Sequence, residues 1–565
     1  MAFSLRRYLL LALALIGCSA EPARFPLRAP LGFDDDQKPF ARVPEEYYSP
    51  FAWDGANYMV FHPIARFFAV DPAGAARDVN AFDEVPDSSW FENRLGKRPM
   101  TADEVARGPC SDKALDPNAP DGSWTIDKGK DNGANPGFRV NIKGLGKFML
   151  KTDPETEPDR ATGATAIAAR LYHAAGYYSA CDSVVYFRPS LLKLQPGLTI
   201  TNNQGVTKPF DQARLDEILK QASHRGGLVR MVASEWLPGK PLGPYRYEGI
   251  RDDDPNDVIP HEDRRELRGG RVLAAWLNHF DSREQNTMDV FMPADKKQKD
   301  GPGYVRHYIM DMGDCFGSQW TVEGISRRLG NEYVFDGSQV AENFITLGAK
   351  RRPWERAQKT GGIFGYFSSR DFEPEGWRGE YPNPAFMRMT ERDGAWMARI
   401  LARFEPELVA AAVKVGQYDA DGEQYLIETL VARRRAILRR YLGRVSPIAE
   451  ATADAQGVCG VDLARQTETV PNEGMSFRAY LYRGAELRAA APPRFRHVTS
   501  PRVCVDIAHG RFAPELPHDA PERYVVLDIT NGYAPGPLRL HLYDLGEGGY
   551  RLVGIERPDT LSAPN

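Results

Sequence analysis

The stretch Arg271–Met292, RVLAAWLNHFDSREQNTMDVFM, and the segment Val305–Gly317, VRHYIMDMGDCFG, decide how the rest of the chain is read. Leu273, Trp276, Leu277 and Phe280 recur at i, i+3, i+4 and i+7, the period of a helix with one buried face. The spacing predicts that this helix stops at Asp281 and that Asn286 follows in a polar turn. After a polar insert, an apolar strand from Tyr304 to Met310 carries Asp311 into the glycine-bearing turn Asp311-Met312-Gly313. The pattern is Asp-x4-Asn on a loop, then a hairpin, then Asp-x-Gly.

Upstream, Trp124–Lys130, Phe138–Ile142 and Lys147–Thr152 are short alternating runs separated by Gly, Asn and Pro, the signature of hairpins. Gly129 and Gly133 bracket the first connection, where backbone amides can approach a phosphate, although glycines between strands more often simply make a turn. Lys151 ends the third run. A helix with a small apolar face (Ala161, Ala164, Ala168, Leu171) is predicted from Pro158 to Gly176, and a strand from Ser183 to Phe187. Leu228–Trp236 reads as a further strand running into Leu-Pro-Gly-Lys.

Phosphoryl transfer needs one carboxylate to orient a hydroxyl, and an amide oxygen with a second carboxylate to hold Mg²⁺ against phosphates. DSREQN and IMDMGD, in this order behind a strand-borne lysine, resemble the catalytic core of the protein-kinase-like superfamily. The nearest branches are the atypical ones: phosphatidylinositol, HipA-type and CotH-type kinases. The resemblance implies an α+β, bilobal kinase-like fold that binds ATP and Mg²⁺ or Mn²⁺. By the same resemblance Asp281 is the hydroxyl-orienting base, Asn286 and Asp311 are metal ligands and Lys151 is the phosphate clamp. Arg283 would contact phosphate, and adenine would sit at the backbone near Glu235. The chain departs from the pattern in the helix ATGATAIAAR, which lacks the glutamate that normally orients the lysine; Glu155, Glu157 and Asp159 are the nearest substitutes. The succession DSSWF, PGF, ATGA, LPGKPLG and DSR-x-x-NT is also similar to a group of uncharacterised bacterial lipoproteins.

The first residues are an export signal. Arg6 and Arg7 precede an apolar run from Tyr8 to Ile16, too short to span a bilayer, and Leu15-Ile16-Gly17-Cys18 resembles the lipobox of bacterial lipoproteins. This implies lipidation at Cys18 and a membrane tether in the cell envelope, with Ser19 favouring the outer membrane. Of the other cysteines, Cys459 and Cys504 fall in one module, where they can pair, and Cys315 reads as a small buried hydrophobe.

Length and composition bound the remainder. The chain has 565 residues, a formal charge of -4 and no basic run, which gives no footprint for nucleic acid. Five regions follow: 1–18 leader and lipidated cysteine, 19–95 an extension wrapping the core, 96–236 a small lobe, 237–445 a large helical lobe, and 446–565 a β-sandwich or barrel that binds a protein or glycan. The acidic run Asp252–Asp257 lacks calcium-loop spacing and reads as solvated. The arginines of ARRRAILRR (432–440) read as a solvated helix face. Two functions stay open: an ATP-dependent phosphotransferase acting on a protein or other hydroxyl, or an inactive kinase-like lipoprotein that serves as a binding or structural module.

Overall fold

The computed structural model describes all residues except 1–23, 69–73, 112, 131–134, 202–206, 320–321, 472–475, 500 and 565. Cys18 and Gly133 therefore lie outside the described residues. The fold mixes helices with several sheets, as α+β proteins do, and the chain divides into two compact units. One comprises residues 32–79 and 84–441; the other comprises residues up to 31, 80–83 and 442–565.

Seven strands of the first unit form one sheet among the described residues. Its order is Asp182–Phe187, Leu228–Glu235, Gly146–Lys151, Gly137–Ile142, Trp124–Lys130 and Leu192–Leu194, with His224–Arg225 paired off the path to Leu228–Glu235. Alternation explains the burial: Trp124, Ile126, Phe138, Val140, Phe148 and Leu150 fall on one face and meet Leu215 and Ile218 of the helix Gln212–Gln221. The register sets Lys151 opposite Val232 and Asp182 opposite Ser234. Lys151 and Asp182 thus stand on the same face, two strands apart, which alternation along the chain does not reveal.

A second sheet of four strands, Lys240–Gly243, Thr287–Pro293, Gly303–Ile309 and Tyr178–Ser179, carries the decisive hairpin. Around it stand the helices Arg265–Leu277, Glu391–Leu401, Pro406–Lys414 and Ala420–Tyr441. The arginine face of the last helix differs from expectation. Arg433 is buried and donates to the carbonyls of Ala275, Trp276 and Ser368, while Arg434 donates to those of Leu401 and Ala402. Both cap the carboxyl ends of neighbouring helices, where cations are favoured. The acidic run is likewise not wholly solvated: Asp257 is buried against His261 and Arg264.

In the second unit two sheets share one core built from Ile448, Val458, Leu481, Val505, Leu527, Leu540 and Leu542, a β-sandwich. Cys459 pairs with Cys504 across adjacent strands. The expected extension divides between the two units. In the second unit Phe25 packs on His541, and the Ala81 carbonyl accepts from the Ile555 amide. Residues 32–79, by contrast, belong with the helical unit.

Candidate functional site

The hairpin register brings the two halves of the sequence pattern together. Thr287 pairs with Ile309, and the Met310 amide donates to the Asn286 carbonyl at 2.9 Å. Asp311 follows directly, so its side chain starts next to Asn286 although 25 residues separate them in the chain. The preceding helix ends at Leu277 rather than Asp281, because Asn278 turns left-handed at φ 53°. Asn286 Nδ2 then donates to the backbone oxygen of Asp281 at 2.8 Å and to its Oδ2 at 2.6 Å. That tie shapes the loop and commits the amide nitrogen; the amide oxygen is the donor atom left toward a cation.

Asp311 itself sits at φ 53° and ψ 56°, a left-handed conformation that aspartate tolerates better than most residues. From there its Oδ1 lies 2.8 Å from Lys151 Nζ, a pair 160 positions apart in sequence. Lys151, Asp281, Asn286 and Asp311 therefore share one neighbourhood. The lysine's ammonium holds the Asp311 carboxyl down at about 2, and Lys130 adds to the effect. Burial pulls the Lys151 pKa down, but Asp311 outweighs it and the net shift is upward.

The helix Arg160–Ala175 carries no Asp or Glu. It packs its small face on the Asp311–Asp314 turn: a Cβ placed on Gly313 would lie 3.3 Å from Thr165 Oγ1 and 3.8 Å from the Ala161 methyl. The helix holds the turn through its first residue. Arg160 is fully buried, is paired with Glu157 and donates to the carbonyls of Gly313 (2.9 Å) and Cys315 (3.2 Å). Glu157 is spent on this arginine and on Ser318, and Asp159 faces Arg225 and Arg230, so neither substitutes as a partner for Lys151.

Three groups of the site were not singled out by sequence. Asp182 stands across the sheet from Lys151, and burial raises it to about 6 against the pull of its Ser234 hydrogen bond and of Lys151. Lys130, the last residue of its strand, donates to the Asn135 carbonyl at 2.9 Å; burial and Lys151 lower it to about 8. Burial, Asp281 and Asp311 push Asp314 up to about 7, opposed by Arg160. Asp314 was visible inside IMDMGD, and Lys130 stood at a strand end, but the weight of Asp182 depends on register alone.

Other expected residues serve differently. Arg283 does not reach toward the acidic cluster as a free cation: it pairs with Glu380 and lies 4.6 Å over the Phe51 ring. Gly129 is not part of a phosphate-facing turn. It lies inside a strand opposite Phe138, and a Cβ there would collide with Ile200 and Phe210. The Glu235 amide is already bonded to the Cys181 carbonyl, the Trp236 amide to the Lys147 carbonyl, and the Glu235 carboxylate to Lys113. Cys315 is buried and unpaired, with its thiol pushed up by burial, as suits a core residue. A second disulfide, Cys110–Cys181, ties the segment after the helix Ala102–Arg107 to the residue that accepts the Glu235 amide.

The donor set fits a hard divalent cation. Among the described residues no three His, Cys, Asp or Glu side chains gather into a ready-made cage. Asp281 Oδ1 is buried and faces His279 Nε2 at 3.3 Å, a contact without good hydrogen-bond geometry, which leaves the oxygen able to turn to a cation. Burial would raise Asp281, but His279 and Arg283 hold it below the usual range, so Asp281 and Asp311 concentrate negative charge while Asp314 is held toward its protonated form. One or two carboxylates completed by an amide and by substrate phosphates is the ordinary environment of Mg²⁺.

No family model matches this chain, and neither a curated protein nor a solved structure does.

Proposed function

We propose that this protein is a lipid-tethered, ATP- and Mg²⁺-dependent phosphotransferase of the cell envelope, acting on a protein or other hydroxyl acceptor. In this reading the seven-stranded sheet with the helix Arg160–Ala175 is the small lobe of a kinase-like fold, and the helical region through Tyr441 is the large one. The single supporting observation is the 2.8 Å contact between Lys151 and Asp311, formed in the same neighbourhood as the Asp281–Asn286 tie.

Each residue then has a task set by its surroundings. Asp281, held ionised, accepts the hydrogen bond of the acceptor hydroxyl and takes its proton. Asn286 and Asp311 would hold the cation, which when bound draws charge from the transferring phosphoryl group. Lys151 exchanges Asp311 for phosphate oxygens, keeping a half-buried ammonium beside anionic charge throughout. Asp182 remains beside Lys151 as its acidic neighbour once Asp311 turns to the metal.

The second reading, a kinase-like module without chemistry, is favoured by one observation. Lys151 is already satisfied by Asp311, and the amides of Glu235 and Trp236 are occupied by carbonyls. Thermal unfolding with ATP and Mg²⁺ or Mn²⁺ decides between the two. A ligand that binds only the folded protein stabilises it, by about 2.7 kcal/mol at a hundredfold excess over Kd. The expected result is an upward shift in the parent and none in Asp311→Ala. No shift in the parent selects the inactive module; an equal shift in the variant removes the metal site proposed here.

A further inference from the structure

The helical segment formed by Phe51–Ala56, Asn57–Phe61 and His62–Phe68 wears its polarity inside out. Its inward residues are polar. Tyr58 donates to Glu284 Oε1 at 2.9 Å, Asp54 accepts from Gln285 and Ser49, and His62 lies 3.0 Å from Glu248. Its outward residues are large and apolar: Phe51, Trp53, Val60, Phe61 and Ile64 are 49%, 60%, 40%, 54% and 55% exposed, and Trp53 packs against Phe61 at 5.8 Å. A surface helix of a protein in water has the opposite arrangement. Between Phe51 and Arg66 the charged residues are Asp54, which is buried, and Arg66 itself, so no carboxylate faces out along this stretch.

We infer that this face docks on a lipid bilayer. The occupant follows from three observations on one chain. The exposed set is Trp and Phe with aliphatic neighbours, the composition that settles at the boundary between headgroups and acyl chains. The outward face carries no negative charge to be repelled by anionic headgroups. The segment begins 33 residues after Cys18, the expected point of acylation, so the bilayer is within the reach of the chain. Among the described residues no helix is long and apolar enough to cross a membrane, so the contact is interfacial. The hydroxyls of Tyr47, Ser49 and Tyr58 that converge on Glu284 fasten the docking helix to the loop Asp281–Asn286, and the loop is held beside the surface the helix contacts.

The inference rests on the tethered reading of the leader, but not on nucleotide chemistry. It is tested with the chain from residue 19 onward, which keeps every described residue and leaves out Cys18. The probe is vesicles of phosphatidylethanolamine with phosphatidylglycerol. The parent is expected to float with the vesicles, and Trp53→Ser/Phe61→Ser/Ile64→Ser to partition about tenfold less while keeping its unfolding temperature and any ATP·Mg²⁺ shift. Hydrogen exchange on the parent needs no variant: vesicles should raise protection across residues 51–66. A parent that does not float, or protection confined to other segments, overturns the proposal. So does a triple variant that turns a non-floating dimer into a monomer, which would make the face a self-association surface. Flotation without an ATP·Mg²⁺ shift leaves the docking face standing and removes the phosphotransferase reading; the reverse result does the opposite.

Discussion

Asp314 is the group beside Asp281 and Asp311 whose protonation changes nearest neutral pH. Its carboxyl moves from an ordinary 3.8 to about 7, chiefly through burial and then through Asp281 and Asp311. A folded pKa above the unfolded one means that, between roughly pH 4 and 7, the folded chain holds a proton the unfolded chain has lost. Stability contributed at this site is therefore greatest below pH 4 and falls as pH rises to 7. Asp314 is 36% exposed at its side chain, so solvent softens the slope below that of a whole proton. Urea midpoints measured from pH 4 to 8 should decline less steeply in Asp314→Asn than in the parent. Asp311 has the reverse sign: held at about 2 by Lys151, its contribution is full above pH 4 and is lost as pH falls toward 2.

At the scale of elements, the helix Arg160–Ala175 is small-faced because it must meet a turn, and its anchor is an arginine at its first position. Replacing Arg160 with Met leaves Glu157 buried without its counter-charge, a change that costs about 3–5 kcal/mol when a buried pair is broken on one side. The Arg160→Met variant should lose that much in chemical denaturation. It should also lose any ATP·Mg²⁺ stabilisation, since the Gly313 and Cys315 carbonyls would no longer be held. Gly163 in the same helix is fixed by close approach: a Cβ there would stand 2.5 Å from the Tyr418 ring. The element itself was legible from the spacing of its alanines. The use of its first residue was not, since a buried arginine in a sequence looks like a solvated one.

At the scale of the molecule, each compact unit carries one disulfide among the described residues: Cys110–Cys181 in the first and Cys459–Cys504 in the second. Closing loops with separations of 71 and 45 residues contributes up to about 4 kcal/mol each in the chain-entropy account. Differential scanning calorimetry should show Cys459→Ala/Cys504→Ala lowering one transition and leaving an ATP·Mg²⁺ response intact. Cys110→Ala/Cys181→Ala should lower the other transition and weaken that response, because Cys181 borders both Asp182 and the Glu235 amide.

Local periodicity determined most of the elements. Strands at 124–130, 137–142 and 146–151, helices at 160–175 and 420–441, and the strands after 502 appear close to where alternation and 3.6-residue spacing set them. Those patterns record which face of an element is apolar, and that is a property of neighbours in the chain. Only tertiary structure decided which charges meet. The joining of Lys151 to Asp311, the inward turn of Arg433, the burial of Asp257 and the reversed face of the helix after Phe51 all depend on groups brought together from far along the chain. A charged side chain carries the same letters whether water or a carbonyl 150 residues away solvates it, so the partner had to come from the fold.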